Sequence, residues 1–157
     1  MASKQELRQQ RQQKQLNHAL IEAAKQGSLA DIQSLLDRHA NINALNSLNC
    51  TPLHHASMNG HHQCIELLLD RHANVNALGY YNNTPVHYAS SNGHHQCIEI
   101  LLDRHADVNI PDCYNSTPLH HASLRGHHRC IEILLDHGAY KSLVNVRLSQ
   151  HMHASLS

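Results

Sequence analysis

A short segment rich in potential metal ligands occurs three times in this sequence. The residues GHHQCIE at 60–66 return unchanged at 93–99, and they return as GHHRCIE at 126–132. Histidine nitrogens and cysteine thiolates are the usual ligands of zinc. In a helix, however, residues two apart point about 200° away from each other, so His62 and Cys64 cannot bind one ion. His61 and Cys64 share a side, but a closed zinc site needs four ligands. We therefore expect no metal site and no cofactor.

The number of histidines keeps a second hypothesis open. The chain has eighteen histidines among 157 residues, with no Phe and no Trp. Histidine changes its charge near neutral pH, and histidines that are buried as neutral side chains would have to become charged near pH 6. A His-rich protein that responds to metal or to pH is therefore our alternative to the function described below.

The elements that position these residues follow a regular repeat. The segment TPLHHAS at 51–57 returns as TPVHYAS at 84–90 and as TPLHHAS at 117–123, a step of 33 residues each time. A Thr N-cap followed by Pro predicts the start of one short helix, and a Gly near its end predicts the stop. A second helix, from about 62 to 71, carries an apolar stripe. Such short helices are unstable alone, so each pair must pack on the next pair in a solenoid.

At this point the sequence resembles the ankyrin-repeat family. The period of 33, the TPLH-x-A signature, the Gly-His turn and the closing ANVNA at 73–77 all match that family. The resemblance implies an all-α fold, an ankyrin-repeat solenoid of stacked helix-turn-helix pairs with short β-hairpin fingers. It covers residues 18–143, with repeats at about 18–50, 51–83, 84–116 and 117–143. A Gln-rich basic extension (1–17) precedes the repeats, and a tail (144–157) follows them.

Two departures from the family pattern predict backbone with positive φ. The family usually has Gly after the second helix and Gly in the finger before Thr-Pro. Here the first position holds His in three copies and the second holds Asn. Both residues tolerate the left-handed region better than most other non-glycine residues. We expect positive φ at His39, His72, His105, Asn49, Asn82 and Asn115.

The resemblance also implies structural roles for the remaining His and Cys. Cys64, Cys97 and Cys130 occupy an aliphatic position of the repeat, where a free buried Cys behaves as a small hydrophobe. The histidines of TPLH and of the Gly-His turn are expected to hydrogen-bond backbone and to connect neighbouring repeats. His62, His95 and His128 have no clear family role. By family analogy alone, Asn43, Asn76 and Asn109 are possible hydroxylation sites.

Composition excludes several classes of function. Twelve basic and twelve acidic residues balance, which does not indicate nucleic acid or a membrane as the partner. The sequence has no H-E-x-x-H, no Gly-rich phosphate loop and no nucleophile elbow, so we expect no enzyme activity. Five cysteines without a hydrophobic leader favour reduced thiols in the cytoplasm, with the nucleus as the alternative.

Positions that differ between repeats are the candidates for function. In ankyrin-like proteins the finger tips and first helices form a concave surface that contacts partners, and Tyr is favoured at such interfaces. We predict a non-enzymatic scaffold or adaptor that binds another protein there. The alternative is that the finger tyrosines serve only to pack on neighbouring fingers. His55, Tyr88 and His121 on the first helices have equal claims to partner binding and to internal hydrogen bonding. The predicted partner-binding residues are Ser47, Leu48, Met58, Tyr80, Tyr81, Tyr88, Cys113, Tyr114, Leu124 and Arg125.

The two ends of the chain leave alternatives open. Residues 1–17 are predicted to form either a helical extension or a disordered segment. In the tail, Val144, Val146 and Leu148 are apolar and could cover the last repeat. We expect a monomer if they do, and a dimer through the C-terminal repeat if they do not.

Overall fold

The computed structural model describes residues 1–140, which form eight α-helices and one 3₁₀ turn, with no β-strand among them. The predicted apolar cover at Val144, Val146 and Leu148 lies outside the described residues. No helix within 1–140 is long and apolar enough to cross a membrane. The helices are α1 (Lys4–Gln26), α2 (Leu29–Asp37), α3 (Pro52–Asn59), α4 (His62–Asp70), α5 (Pro85–Ser91), α6 (His95–Asp103), α7 (Pro118–Arg125) and α8 (His128–Asp136), with the 3₁₀ turn at Tyr80–Asn82.

The first helix of each full repeat begins at a reciprocal cap. In α3 the Thr51 hydroxyl accepts from the backbone N–H of His54, and the His54 ring accepts from the backbone N–H of Thr51. Pro52 fills the first helical position, where its missing N–H costs no hydrogen bond. Gly60 ends the helix at φ 76°, in the left-handed region. The Thr and His of the other two copies form the same capping box in α5 and α7.

The helices stack in two layers, as the repeat predicted. The inner helices α1, α3, α5 and α7 pack in series, and the outer helices α2, α4, α6 and α8 each pack on the inner helix of their own repeat. One continuous core of Leu, Ile, Val, Ala and Cys runs through all four repeats. Each pair therefore buries its apolar stripe against its neighbours, which is how short helices become stable in a solenoid.

The fingers between repeats are tight turns, where the resemblance implied β-hairpins. In each finger one backbone hydrogen bond closes the turn: Asn46 N to Cys50 O at 3.1 Å, Gly79 N to Asn83 O at 2.9 Å, and Asp112 N to Ser116 O at 2.8 Å. No finger is long enough for a second rung, so no strand forms in the described residues. The prediction of positive φ is confirmed at all six sites, with values of 59–66°.

The first inner helix is much longer than the others. α1 has 23 residues, against seven or eight in α3, α5 and α7. Its start is fixed by a capping box between Ser3 and Glu6. Of the two alternatives for residues 1–17, the structure has the helical one from Lys4 onward, and the helix runs without a break into the first repeat.

Candidate functional site

Buried histidines connect each repeat to the next one. The His87 Nδ1 accepts from the backbone N–H of Thr84 at 3.0 Å, so Nε2 carries the proton and donates to the carbonyl of Ser116 at 2.9 Å. His54 repeats this arrangement, with its Nε2 donating to the carbonyls of Ala77 and Asn83. Both rings are almost fully buried. We call His54, His87 and His120 the histidine ladder; each uses Nδ1 for its own cap.

Burial holds His54 and His87 in their neutral form. Desolvation lowers the pKa of both His54 and His87 to about 4, against hydrogen bonds to carbonyls that act to raise it. A charged imidazole would carry a proton on Nδ1 as well. In His87 that N–H would face the backbone N–H of Thr84, so two donors would meet without an acceptor. The ladder is therefore a structural hydrogen-bonding device whose tautomer is set by the cap.

A second set of histidines connects each repeat to the preceding one. Nε2 of His61, His94 and His127 donates to the carbonyls of Lys25, Met58 and Ser91, at 2.9–3.1 Å. Each ring lies over the turn glycine of the preceding repeat. A Cβ on Gly60 would come within 2.7 Å of the His94 ring. Three histidines had no clear family role: His62 is half-buried, and His95 and His128 are exposed.

Asparagines of the closing segments form a further set of links. Asn43 Oδ1 accepts from the backbone N–H of Asn74 at 2.9 Å, and Asn76 Oδ1 accepts from that of Asp107 at 2.8 Å. Asn109 Oδ1 accepts from the backbone N–H of Tyr140 at 3.2 Å. The side chains suggested for hydroxylation are thus links between repeats in this structure.

Within residues 1–140, one group of three metal-ligating side chains comes together: His87, Asp112 and His121, with ligand atoms within 4.8 Å of one another. His121 Nε2 donates to Asp112 Oδ2 at 2.8 Å. Ligands of one zinc ion lie only about 3.4 Å apart, and both nitrogens of His87 already have partners. Burial acts to raise the pKa of Asp112, but hydrogen bonds from His121, Ser116 and Tyr114 bring it below its usual value. The group fits a carboxylate–imidazole hydrogen bond beside the ladder better than a metal site.

The cysteines divide into buried and exposed thiols. Cys64, Cys97 and Cys130 are free and buried in the core cluster. Burial raises the pKa of the Cys97 thiol to about 12, so it is neutral at physiological pH. Cys113, on the third finger, is exposed. The core cysteines therefore act as small apolar side chains, as expected.

The structure brings three of the predicted binding residues into one exposed cluster. The Tyr80 and Tyr81 rings have centroids 3.9 Å apart, and their hydroxyls are joined at 2.8 Å. The rings of Tyr81 and Tyr114, on successive fingers, have centroids 5.5 Å apart, and Cys113 N donates to Tyr81 O at 2.9 Å. The three side chains remain 42, 46 and 65 % exposed. The finger tyrosines thus pack on each other, as one alternative supposed, and still present their rings to solvent; we call them the tyrosine cluster.

The other predicted binding residues differ in their exposure and in the elements that carry them. Ser47 and Leu48 are exposed on the first finger, and Leu124 and Arg125 are exposed at the end of α7. Met58 is half-buried. Tyr88 is also half-buried, with its ring edge-on to His54 and its hydroxyl 3.7 Å from Cys50 Sγ. His55 is buried against Asn46, whose side chain lies 3.1 Å from its Nε2.

Sequence reasoning missed the conformation of the second finger. Asn46 and Asp112 begin the other two fingers and accept backbone N–H groups from within them. Gly79 occupies the same place, and a Cβ there would lie 2.9 Å from His54 Nε2. Without that side-chain acceptor, the second finger forms a 3₁₀ turn in which Tyr81 has φ 54°. The sequence did contain a signal for this difference, because Gly79 stands at the position that Asn46 and Asp112 occupy in the other two fingers.

The fold and the links between its repeats define the class of protein: an array of ankyrin-type units. A family model for ankyrin repeats (3 copies) matches residues 20–112 and 81–145, and the chain belongs to the ankyrin-repeat family. A comparison with curated proteins found no match. Members of this family are generally non-enzymatic and generally serve in protein–protein interaction.

Proposed function

We propose that this protein is a non-enzymatic scaffold or adaptor that binds another protein through its finger tips and the concave face formed by its inner helices. The tyrosine cluster is the observation that carries the proposal. Exposed aromatic rings cost free energy in water, and Tyr combines a large apolar area with a polar hydroxyl that interfaces favour.

The cluster is also preorganised for binding. Tyr81 and Tyr114 come from successive fingers, which are held together by the hydrogen bond from Cys113 N to Tyr81 O. Side chains that already contact one another lose less conformational freedom on binding. Leu48 on the first finger and Leu124 at the end of α7 are two further exposed apolar side chains, at 48 and 62 % exposure.

The test is a change of the cluster that leaves the fold intact. The triple variant Tyr80→Ala, Tyr81→Ala, Tyr114→Ala is compared with wild type in affinity capture with quantitative mass spectrometry. We expect loss of at least about tenfold in the recovery of specific partners, because several interface anchors are removed together. Tyr140→Ala is the matched control, since Tyr140 is 61 % exposed and lies outside the fingers.

Two outcomes would contradict this assignment. Recovery that is equal for the folded triple variant and wild type would remove the tyrosine cluster from the interface. An equal loss in the Tyr140→Ala variant would show that any exposed Tyr has the same effect, and that the fingers have no special role.

A further inference from the structure

The basic residues of α1 lie on one side of the helix. At about 100° per residue, they fall within an arc of about 120°. We call this set the basic face of α1; its members are Lys4, Arg8, Arg11, Lys14 and Lys25, all of them exposed.

Of the two acidic residues of α1, Glu6 belongs to the N-terminal cap and Glu22 pairs with Lys25 at 2.9 Å. Among residues 1–140, Lys4, Arg8, Arg11 and Lys14 have no ion-pair partner, whereas Arg71, Arg104 and Arg129 of the outer face do.

A balanced overall charge conceals this separation. Eight of the twelve acidic residues lie on the outer helices, two on each, so the carboxylates are concentrated on the opposite side of the stack. Arginines that end the outer helices neutralise part of that charge, as Arg71 does for Asp37 at 3.1 Å. The basic face of α1 is left as a concentrated positive surface, which attracts acidic partners at a distance.

The spacing along α1 matches one side of a helix–helix contact. Basic residues, with Leu7, His18 and Ile21 among them, recur at steps of three and four, the spacing of a heptad seam. This seam consists of Lys4, Leu7, Arg11, Lys14, His18, Ile21 and Lys25. Leu7 is 46 % exposed among the basic side chains, whereas Ile21 is buried. A helix that offered Leu and Glu along its own seam would complement both the apolar and the cationic positions.

The side chains in the first half of this helix stay exposed, although Gln13 Nε2 donates to the carbonyl of His39 at 3.0 Å. Residues 1–15 are exposed throughout, because α2, with nine residues, is too short to lie along all of α1. A helical segment of about fifteen residues without packing is only marginally stable in water. Farther along, Lys14, His18 and Lys25 form one wall of a groove whose other wall is Leu45 and Ser47 of the first finger. The seam therefore continues from the free end of α1 into the concave face.

We propose that the basic face of α1 is a docking surface for an acidic amphipathic helix of a partner protein, which lies along α1 and enters the groove beside the first finger. The inference rests on the proposed role in protein binding and names the chemistry of the partner. Two copies of α1 cannot pair through this seam, because Lys4, Arg11 and Lys14 would meet like charges. Leu7 within the seam and Leu45 across the groove favour an amphipathic helix over a nucleic acid backbone.

The test uses defined peptides and the full-length chain. The probe is a fluorescein-labelled peptide of about three heptads with Leu at a and Glu at d, e and g. Comparison probes are a peptide of the same composition in scrambled order, a peptide with Lys in place of Glu, and a deoxythymidine oligonucleotide. Binding is followed by fluorescence anisotropy at two salt concentrations.

We expect the acidic heptad peptide to bind wild type with micromolar affinity that weakens as salt rises. The variant Arg8→Glu/Arg11→Glu should bind it at least tenfold more weakly. The matched control is Arg71→Glu/Arg104→Glu, which makes the same change in net charge on the outer face and should stay within about twofold of wild type. Circular dichroism checks that each variant keeps its helix content.

Several results would overturn the inference. Equal binding of wild type and Arg8→Glu/Arg11→Glu, or no binding of the acidic peptide at all, would remove the basic face as its site. Equal binding of the scrambled peptide would show charge attraction without a helix seam, and tighter binding of the oligonucleotide would make this a nucleic acid surface. The triple Tyr variant should keep its peptide affinity, so failure here leaves the tyrosine-cluster test untouched and the reverse also holds.

Discussion

The histidine ladder and the tyrosine cluster occupy neighbouring parts of the same repeats, and they differ in every physical respect. His54 and His87 are at most 1 % exposed, and both ring nitrogens of each hydrogen-bond backbone groups of their own and the next repeat. Tyr80, Tyr81 and Tyr114 are at least 42 % exposed and contact mainly one another. The difference teaches that the residues that recur at the 33-residue step form the buried joints of the array, whereas the varying finger residues remain exposed, where we propose that a partner binds.

The largest expected effect is on the ladder side of this comparison. His87→Ala leaves the backbone N–H of Thr84 and the carbonyl of Ser116 without their buried partner and opens a cavity. We expect a loss of about 3 kcal/mol in the free energy of unfolding, measured by urea denaturation. His95→Ala, at an exposed histidine of the same repeat, is the control and should change it by no more than about 0.5 kcal/mol. Similar losses in both variants would show that burial does not separate the two kinds of histidine.

The helices and the ladder could be predicted from the sequence because each is determined locally and repeated. Thr-Pro at a helix start and Gly at its end act within a few residues, and the recurrence of Leu53 as Leu119 marks the core position. The contact between Tyr81 and Tyr114 was one of two alternatives that the sequence left open, because it depends on how two successive fingers approach each other. The basic face of α1 was hidden for another reason: charges that balance over the chain are separated only when the helix is built.

An intermediate effect is expected from pH. The pKa of His54 and of His87 is about 4 in the folded chain, below the ordinary 6.5 of the unfolded chain. Between these values the unfolded chain binds protons that the folded chain does not, so stability falls as pH drops below 6.5 and is unaffected well above it. At pH 5.5 His54 and His87 should each cost about 1 kcal/mol relative to pH 7.5.

The measurement is the melting temperature at pH 7.5 and 5.5, at constant ionic strength. His55 and the ring of Tyr88 lie beside His54, and His121 and Asp112 lie beside His87, so these are the neighbours that act on the two imidazoles. His87→Ala should show a smaller drop in melting temperature than wild type, because one group with a lowered pKa has been removed. A drop that is unchanged by this substitution would mean that His87 does not carry the pH dependence.

The smallest expected effect completes the comparison on the finger side. The triple Tyr80→Ala, Tyr81→Ala, Tyr114→Ala variant removes contacts among side chains that stay exposed in the folded chain, so the free energy of unfolding should change by less than about 1 kcal/mol. The same urea denaturation measures it beside His87→Ala. A loss as large as that of His87→Ala would make the tyrosine cluster part of the structural framework and not a surface reserved for a partner.

The links between repeats also bear on how such a chain can change in length over generations. Each of the three full repeats encodes a ladder histidine and a turn histidine, of which His87 bonds forward and His94 bonds backward. A tandem duplication or loss of one unit in the gene would therefore bring matching halves of the joint together without any new interface having to arise. The identical segments at 60–66 and 93–99 are what such a copying event would leave. The array is a fold that can be lengthened by inheritance alone.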